Sequence, residues 1–359
     1  MYSCAYIYIW RPVMAAFQRQ GPLNGVVVVD LSRQLAGPQC SRILSDFGAR
    51  VIRVEQAGGV GDLLEASPHF FQTLNHSKER VMLDLRSVDG RSSLDLLLES
   101  ADVLLENYRP GVIESMGYGW ESVHARWPRL IMASVSGFGQ TGPDSGLPAM
   151  DVVVQALSGL MSITGFSDRP GVGTPAAVAD VSAGMMAANG IMASIIGRQS
   201  SGEGCYVDVS MLDVMISVMG RQLGRFANGS MKQPARAGSA SPSQAPFDTY
   251  ACSKHAFPDH IAIIGLNPKH WDSICEVLGD SAIRSNPSYQ TPGGRHKAAS
   301  FKPDLEALLS RRTALEWVQA FQAVGVPCGP VNDLQGVVDN RQAQVMPLMA
   351  HAHICLTDS

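Results

Sequence analysis

Short runs of apolar, largely β-branched residues alternate with amphipathic segments along the first two thirds of the chain. The run 23–32 (LNGVVVVDLS) predicts a buried parallel strand, the spacing over 36–49 predicts a helix, and 50–55 (RVIRVE) predicts a second strand. Strand, helix and strand within about 30 residues form a βαβ unit. The alternation continues with predicted strands at 81–85, 102–107, 129–136 and 205–211 and a helix at 90–101. It indicates an α/β fold, a Rossmann-like parallel sheet covered by helices on both faces.

The longest apolar segment follows this alternation. Residues 181–197 carry no charge, and one carboxylate, Asp180, stands directly before them. The segment reaches the lower end of the transmembrane length range, but Ser182, Asn189 and two interior glycines favour a buried helix.

Asp180 allows two interpretations. An aspartate directly before a helix is a good N-cap, and backbone N–H groups with the helix dipole are then expected to keep it ionised. Alternatively, an ionised carboxylate in apolar surroundings is a weakly solvated nucleophile, suited to covalent catalysis. The small residues Ser182, Ala183 and Gly184 are expected to let a bulky ligand approach it.

Composition changes at 227–247, a stretch rich in Gly, Ser, Pro and Ala, which predicts a linker between a large domain at 21–226 and a smaller α+β domain at 248–330. Residues 1–20 contain Arg11 and Arg19 but no acid. This extension is compatible with a mitochondrial targeting sequence or with disorder, so the mitochondrial matrix and the cytoplasm both remain open.

Composition and short motifs exclude several other functions. The net charge of −4 argues against a nucleic-acid surface. Seven scattered cysteines without a C-x-x-C pair indicate a reduced, non-secreted protein rather than a disulfide or zinc framework. The loop 137–142 (GFGQTG) matches G-x-G-x-x-G, yet Pro143 breaks the helix that a dinucleotide site requires. The terminal 351–355 (HAHIC) lacks a distant ligand set, so no metal site is predicted.

An ordered series of eight segments resembles the family III coenzyme A transferases, which include formyl-CoA, carnitine-CoA and succinyl/glutarate-CoA transferases and the α-methylacyl-CoA racemases. The resemblance runs from about residue 22 to 349. The matching segments are GVVVVDLSRQLAGP (25–38), FGARVIRVE (47–55), DVLLENYRPG (102–111), SGFGQTGP (136–143), DVVVQALSGLMSITG (151–165), ADVSAGMMAANGI (179–191), GEGCYVDVSM (202–211) and GVPCGPVN (325–332).

The resemblance implies transfer of coenzyme A from an acyl-CoA to a carboxylic acid. Asp180 matches the family's nucleophile, which forms an acyl-aspartyl anhydride and then an aspartyl-CoA thioester. Backbone N–H groups of Gly137 and Gly139 are candidate oxyanion donors. Coenzyme A is a substrate rather than a permanent cofactor. The residues expected to bind it are Arg33, Gln34, Arg53, Lys78, Arg80, Asn107 and Arg109.

Two positions and one segment depart from the family pattern. Met150 stands where the racemases carry a histidine, and a thioether cannot shuttle a proton, which favours transferase over the alternative of a 2-methylacyl-CoA racemase. Leu35 replaces a glutamine of the formyl-CoA branch, which argues against oxalate and formate as substrates. The segment 331–359 is expected to be a shortened return to the large domain. The resemblance implies a homodimer of interlocked rings, and the return segment helps to complete each ring. If the shortened segment prevents this, the protein is an inactive acyl-CoA-binding protein, which is a further alternative.

Overall fold

A computed structural model describes residues 21–57, 62–230, 232–254 and 257–345 of the 359-residue chain. Contacts divide these residues into two units. The first comprises the described parts of 21–161 and 173–232, and the second those of 162–172 and 233–345. The division at 232–233 falls inside the segment predicted as a linker, but 162–172, predicted to lie in the large domain, belongs to the second unit.

Two of the sequence predictions concern residues that the structure does not describe. The N-terminal extension 1–20 lies outside the described residues, as does the HAHIC sequence at 351–355. Of the predicted return segment 331–359, only the part up to residue 345 is described.

The first unit is built around a six-stranded sheet in which every neighbouring pair is parallel. Its strands are β1 (Val27–Asp30), β2 (Arg50–Gln56), β3 (Glu79–Leu83), β4 (Val103–Glu106), β5 (Ile131–Ser136) and β6 (Tyr206–Ser210). The order β3-β2-β1-β4-β5-β6 reverses direction between β1 and β4. This is the doubly wound arrangement, so the Rossmann-like prediction is confirmed, and its ligand crevice is expected at that reversal.

Helices connect these strands, and a 3-10 turn spans Leu63–Ala66. In chain order they are α1 (Ala36–Asp46), α2 (Pro68–Asn75), α3 (Val88–Glu99), α4 (Val112–Ser115), α5 (Trp120–Arg126), α6 (Asp151–Leu157), α7 (Leu160–Ile163), α8 (Val178–Ser201), α9 (Met211–Val218) and α10 (Gly220–Ala227). Two helices, α9 and α10, follow β6. Met219 ends the first of them and precedes the second.

Helix α8 is the long apolar segment of the sequence. It is long and apolar enough to cross a membrane by length and composition, but here Ala183, Ala187 and Ile191 are fully buried against the sheet core. A Cβ on Gly184 would lie 2.5 Å from the carbonyl oxygen of Ala36 in α1. The prediction that Ala183 and Gly184 admit a ligand was therefore wrong: they permit the close approach of two helices.

The second unit is an α+β structure, with an antiparallel sheet in the order β7-β8-β9. Its elements are β7 (Phe247–Ala251), β8 (His260–Ile264), α11 (Pro268–Leu278), α12 (Ser281–Ser285), a 3-10 turn (Pro287–Tyr289), α13 (Pro292–Lys297), α14 (Phe301–Leu309), α15 (Ala314–Ala323), β9 (Cys328–Pro330), α16 (Leu334–Val338) and α17 (Arg341–Gln344). Arg295 is buried under Trp271 and donates to the carbonyl oxygens of Ala245 at 2.7 Å and Tyr289 at 2.6 Å. These bonds link two segments that contribute to the unit's core.

Candidate active site

A cleft of about 300 Å³ lies at the carboxyl ends of β1, β4 and β5, where the strand order reverses. The loops after these strands and the first turn of α8 form its walls. This is the position at which doubly wound folds bind ligands. Its lining includes Arg33, Gln34, Leu35, Asn107, Tyr108, Arg109, Ser136, Gly137, Ser145, Met150 and Asp180. The structure thus brings together six of the ten residues that the sequence analysis selected for the site.

Asp180 is the third residue of α8 and not its N-cap, a position occupied by Ala177. The N-cap prediction was therefore wrong. The free N–H groups of the helix are covered from another element, because Asp151 Oδ1 accepts from the backbone N–H of Ala179 at 2.7 Å and from that of Asp180 at 3.3 Å. The side chain of Asp180 is thereby left available to the cleft that it lines.

Burial raises the pKa of Asp180, and the negative charge of Asp151 raises it further, to about 6. Burial thus acts against the stabilisation of the ionised form that was expected from the helix N-terminus, because loss of solvation disfavours the charged carboxylate. Asp180 is still mainly ionised at neutral pH. A carboxylate that is charged but poorly solvated is a better nucleophile than one fully hydrated in water.

The capping carboxylate of Asp151 is itself held in place. Its Oδ2 accepts from the side-chain amide of Gln155, one helical turn later in α6. The buried Gln155 also binds the backbone of Thr174, accepting at Oε1 from its N–H at 2.9 Å and donating to its carbonyl at 3.3 Å. The sequence analysis missed both residues as parts of the site. The signal was present, since an Asp and a Gln four residues apart lie on one helix face.

Asn107 fixes the first βα turn. Its Oδ1 accepts from the backbone N–H of Arg33 and its Nδ2 donates to the carbonyl of Arg33, both at 2.8 Å. Gln34, which follows, has a positive φ of 60° and donates its backbone N–H to Asp62 at 2.8 Å. The amide of Asn107 therefore positions the turn, while the Arg33 side chain extends along the cleft and donates to Gln56 at 3.2 Å.

Arg53 and Lys78 lie in a buried polar network beside the cleft. Lys78 Nζ is 3.4 Å from Asp30 and donates to Asn75 Oδ1 at 2.8 Å and the Pro38 carbonyl at 3.0 Å. Arg53 donates to Glu55 at 3.0 Å, to Asp62 at 2.7 Å and to Asn75 at 3.2 Å. Their donors are occupied inside the protein, so the geometry does not support the predicted binding of coenzyme A phosphates by these two residues.

The other two predicted cations differ from each other. Arg80 is half-exposed and pairs with Glu55 at 2.6 Å and Glu65 at 3.4 Å, away from the lining of the cleft. Arg109 is exposed, lines the cleft, and forms no ion pair with any other residue that the structure describes. Arg33 and Arg109 are thus the cations placed to meet an anionic ligand there.

The two predicted oxyanion glycines also occupy different positions. Gly137 lines the cleft, and a Cβ there would lie only 2.2 Å from Cβ of Ala149. Gly139 has a positive φ of 84° and is not part of the cleft lining, and the next N–H, that of Gln140, donates to Asp208 at 3.0 Å. No helix follows this loop before Asp151, which agrees with rejecting a dinucleotide fingerprint.

A second depression of about 220 Å³ adjoins the cleft at the ends of β2 and β3. Arg33 and Tyr108 line both cavities. Its remaining lining residues are Val54, Glu55, Gln56, Leu83, Asp84, Leu85, Arg86 and Met116. The shared residues make the two cavities neighbours along one sheet edge, which suits an elongated ligand.

Comparison with known proteins identifies relatives of the whole chain. The sequence model of a family described as CoA-transferase family III matches residues 23–352. Acetyl-CoA:oxalate CoA-transferase of Acetobacter aceti is 35% identical over 325 residues, covering 88% of this chain and 82% of that protein. Succinate–glutarate CoA-transferase of Agrobacterium fabrum is 31% identical over 349 residues, covering 92% and 85%.

Solved structures agree with these sequence matches. The crystal structure of a CaiB/BaiF family protein from Brucella suis is similar with a TM-score of 0.79 and 28% identity, covering 90% of this chain and 87% of that one. A protein from M. tuberculosis in an orthorhombic crystal form gives a TM-score of 0.80 at 28% identity, covering 90% and 86%.

Proposed function

Because the chain belongs to CoA-transferase family III, its reaction is the transfer of coenzyme A, and we propose that this transfer proceeds through covalent intermediates on Asp180. One observation carries the proposal. The carboxylate lies in the cleft at the sheet reversal, is poorly solvated, and is free of the capping role that Asp151 fulfils. Such a group is suited to attack a thioester carbonyl.

The proposed sequence has four displacements. Asp180 attacks the acyl-CoA carbonyl, and CoA thiolate leaves as an acyl-aspartyl anhydride forms. The thiolate attacks the aspartyl carbonyl, giving an aspartyl-CoA thioester and releasing the donor acid. The acceptor carboxylate then attacks this thioester and again expels the thiolate. Finally, the thiolate attacks the new acyl carbonyl, which forms the product acyl-CoA and regenerates Asp180. Retention of CoA beside the carboxylate makes these steps effectively unimolecular.

Arg33 and Arg109 are proposed to bind the phosphates of coenzyme A. Both lie at the cleft, and Arg109 has no competing ion pair among the described residues. Coenzyme A is long and carries several negative charges, so a bound molecule needs cations and an extended groove. The second depression shares Arg33 with the cleft and is proposed to receive the nucleotide end, with the thioester directed towards Asp180.

The acceptor is proposed to be a small carboxylic acid. The relatives act, by their names, on oxalate, succinate, glutarate and mesaconate. A donor and acceptor panel should therefore pair acetyl-CoA and succinyl-CoA with these acids. Oxalate belongs in the panel as a direct check on the argument from Leu35, which lines the cleft where the formyl-CoA branch carries glutamine.

The protein is further proposed to act as a homodimer. The first unit exposes large apolar side chains on α8, α9 and α10, which are Met185, Met186, Ile196, Val218, Leu223 and Phe226. A monomeric protein seldom leaves so much apolar surface in water. Light scattering after size exclusion tests this assignment, and a mass of one chain would contradict it.

The covalent mechanism is tested by trapping. The protein is incubated with acyl-CoA and hydroxylamine, and peptides are examined for a hydroxamate on Asp180 by mass spectrometry. A modified Asp180 in the wild type and none in Asp180→Asn is expected. Binding of acyl-CoA by calorimetry without turnover of any pair would instead favour the inactive binding protein.

The racemase alternative has its own test. Met150 is 61% exposed and lines the cleft, and a thioether there supplies no base. We therefore expect no deuterium incorporation at the α-carbon of a 2-methylacyl-CoA in D2O. Deuterium incorporation that depends on Asp180 would favour the racemase over the transferase.

A further inference from the structure

Ser136 is the last residue of β5, at the edge of the sheet where the cleft opens. It is only 7% exposed, and its hydroxyl has no hydrogen-bond partner among the residues that the structure describes. Buried hydroxyls in folded proteins are nearly always paired, so one without a partner requires an explanation. Its position in the lining of a ligand cleft offers one.

Two other serines, one in the cleft lining and one in β5, differ from Ser136. Ser145, which also lines the cleft, donates its Oγ hydrogen to the Gly142 carbonyl at 3.0 Å. Ser134, two residues earlier in β5, accepts from Tyr206 Oη at 3.0 Å. Of these three serines, only Ser136 has a hydroxyl without a hydrogen-bond partner in the described part of the chain.

The second half of the neighbouring glycine loop provides no backbone N–H as an oxyanion donor in the cleft. The N–H of Gln140 is bound to Asp208, and Gly139 is not part of the cleft lining, so this half of the loop does not supply a donor. When a carboxylate attacks a thioester, the carbonyl oxygen gains negative charge and needs a hydrogen-bond donor. An unpaired serine hydroxyl can rotate its proton towards that oxygen without breaking another bond.

We propose that the Ser136 hydroxyl donates a hydrogen bond to the acyl carbonyl oxygen as Asp180 attacks, and releases it when the carbonyl reforms. Ser136 is thereby a catalytic residue that stabilises the oxyanion of the two tetrahedral intermediates formed at an acyl carbonyl, those of the first and the last displacement. The inference rests on the proposed function, since it assumes the attack by Asp180. It adds a side-chain donor beside the backbone N–H of Gly137, which also lines the cleft.

The test compares Ser136→Ala with Ser134→Ala. We expect Ser136→Ala to lower kcat by about 10²–10³-fold, as loss of one oxyanion donor does, with little change in KM. Its melting temperature should stay the same or rise, because the substitution removes a buried unpaired hydroxyl. Ser134→Ala should show the opposite pattern, with a lower melting temperature and nearly normal kcat.

Each other result would overturn the proposal. A kcat within about threefold of wild type, where an oxyanion donor would account for at least 10²-fold, excludes the role. A rise in KM alone assigns the hydroxyl to ground-state binding, and a lower melting temperature assigns it to structure. Hydroxylamine trapping of the wild type separates the two proposals. A trapped Asp180 with a fully active Ser136→Ala protein refutes only the role of Ser136, whereas no trapping refutes the covalent mechanism itself.

Discussion

Two sets of charged residues lie side by side at the carboxyl edge of the parallel sheet. In the buried network, Asp30, Arg53 and Lys78 are almost inaccessible to solvent, and each is bound by neighbouring side chains. Around the cleft, Arg109 is exposed without an ion pair among the described residues, and Asp180 has lost much of its solvation without gaining a cation. Each set contains an aspartate and at least one basic residue.

The difference between the two sets is whether each charge has a complete set of internal partners, and this separates structural charges from functional ones. A buried charge whose partners are all internal adds little net stability, because desolvation offsets the attraction, but removing one partner leaves an uncompensated charge and is strongly destabilising. A charge left with incomplete partners is maintained at a cost to stability, and such groups concentrate at functional sites.

Asp180→Asn should abolish transfer, lowering kcat/KM by at least about 10³-fold, because an amide cannot form the anhydride. The same variant should be more stable than wild type above pH 6. The folded pKa of about 6 exceeds the ordinary 3.8, so the folded state binds the extra proton and loses stability as pH rises through that interval.

Thermal unfolding at pH 5 and pH 8 checks the stability of Asp180→Asn, with coupled assays for activity. The gain over wild type should appear at pH 8 and shrink at pH 5. A variant that is destabilised at pH 8, or that transfers CoA normally, would contradict the assignment of Asp180 to the functional set.

Lys78→Met should unfold far more easily than wild type, by about 3–5 kcal/mol, because Asp30 then remains buried without a counter-ion. Urea titration followed by circular dichroism measures the loss. The double variant Asp30→Asn with Lys78→Met should recover part of it. A Lys78→Met protein of normal stability but with a raised KM for acyl-CoA would restore the original prediction that this lysine binds phosphate.

Arg109→Ala should raise the KM for acyl-CoA by about tenfold and leave stability unchanged, since a phosphate contact of this kind is worth about 1.4 kcal/mol. Arg80→Ala is the matched control, because Arg80 is a half-exposed arginine already paired with two glutamates. Steady-state kinetics at two salt concentrations compare them. An equal rise in the KM for acyl-CoA in both variants would contradict the assignment of phosphate binding to Arg109 and not to Arg80.

Asp151→Asn should give the smallest change, a displacement of the acidic limb of the pH–kcat/KM profile to lower pH. The charge of Asp151 is the second cause of the raised pKa of Asp180, after burial, and its removal lowers that pKa. The amide oxygen can still cap α8, so the fold should persist. If the acidic limb of the profile stays at the same pH in the variant, burial alone sets the pKa of Asp180.

Several elements were predictable because local pattern and tertiary role coincide. The β-branched strands β1, β4 and β5 are buried on both faces of the sheet, which is what an uninterrupted apolar run implies. The cleft position of Asp180, Arg33 and Arg109 followed from their place just after strands or at a helix start, read together with the family resemblance. That the loop 137–142 does not open a helix followed from Pro143.

The sequence by itself thus determined the strand and helix alternation, the doubly wound sheet and the aspartate at the mouth of an apolar helix. Only the tertiary structure decided which charges are free. Asp151 caps α8 from another helix, Lys78 reaches Asp30 across 48 residues, and Gly184 serves a helix contact. The physical reason is that periodicity is a local property of the chain. Hydrogen-bond partners, desolvation and the resulting pKa values depend instead on groups distant in sequence that folding brings together.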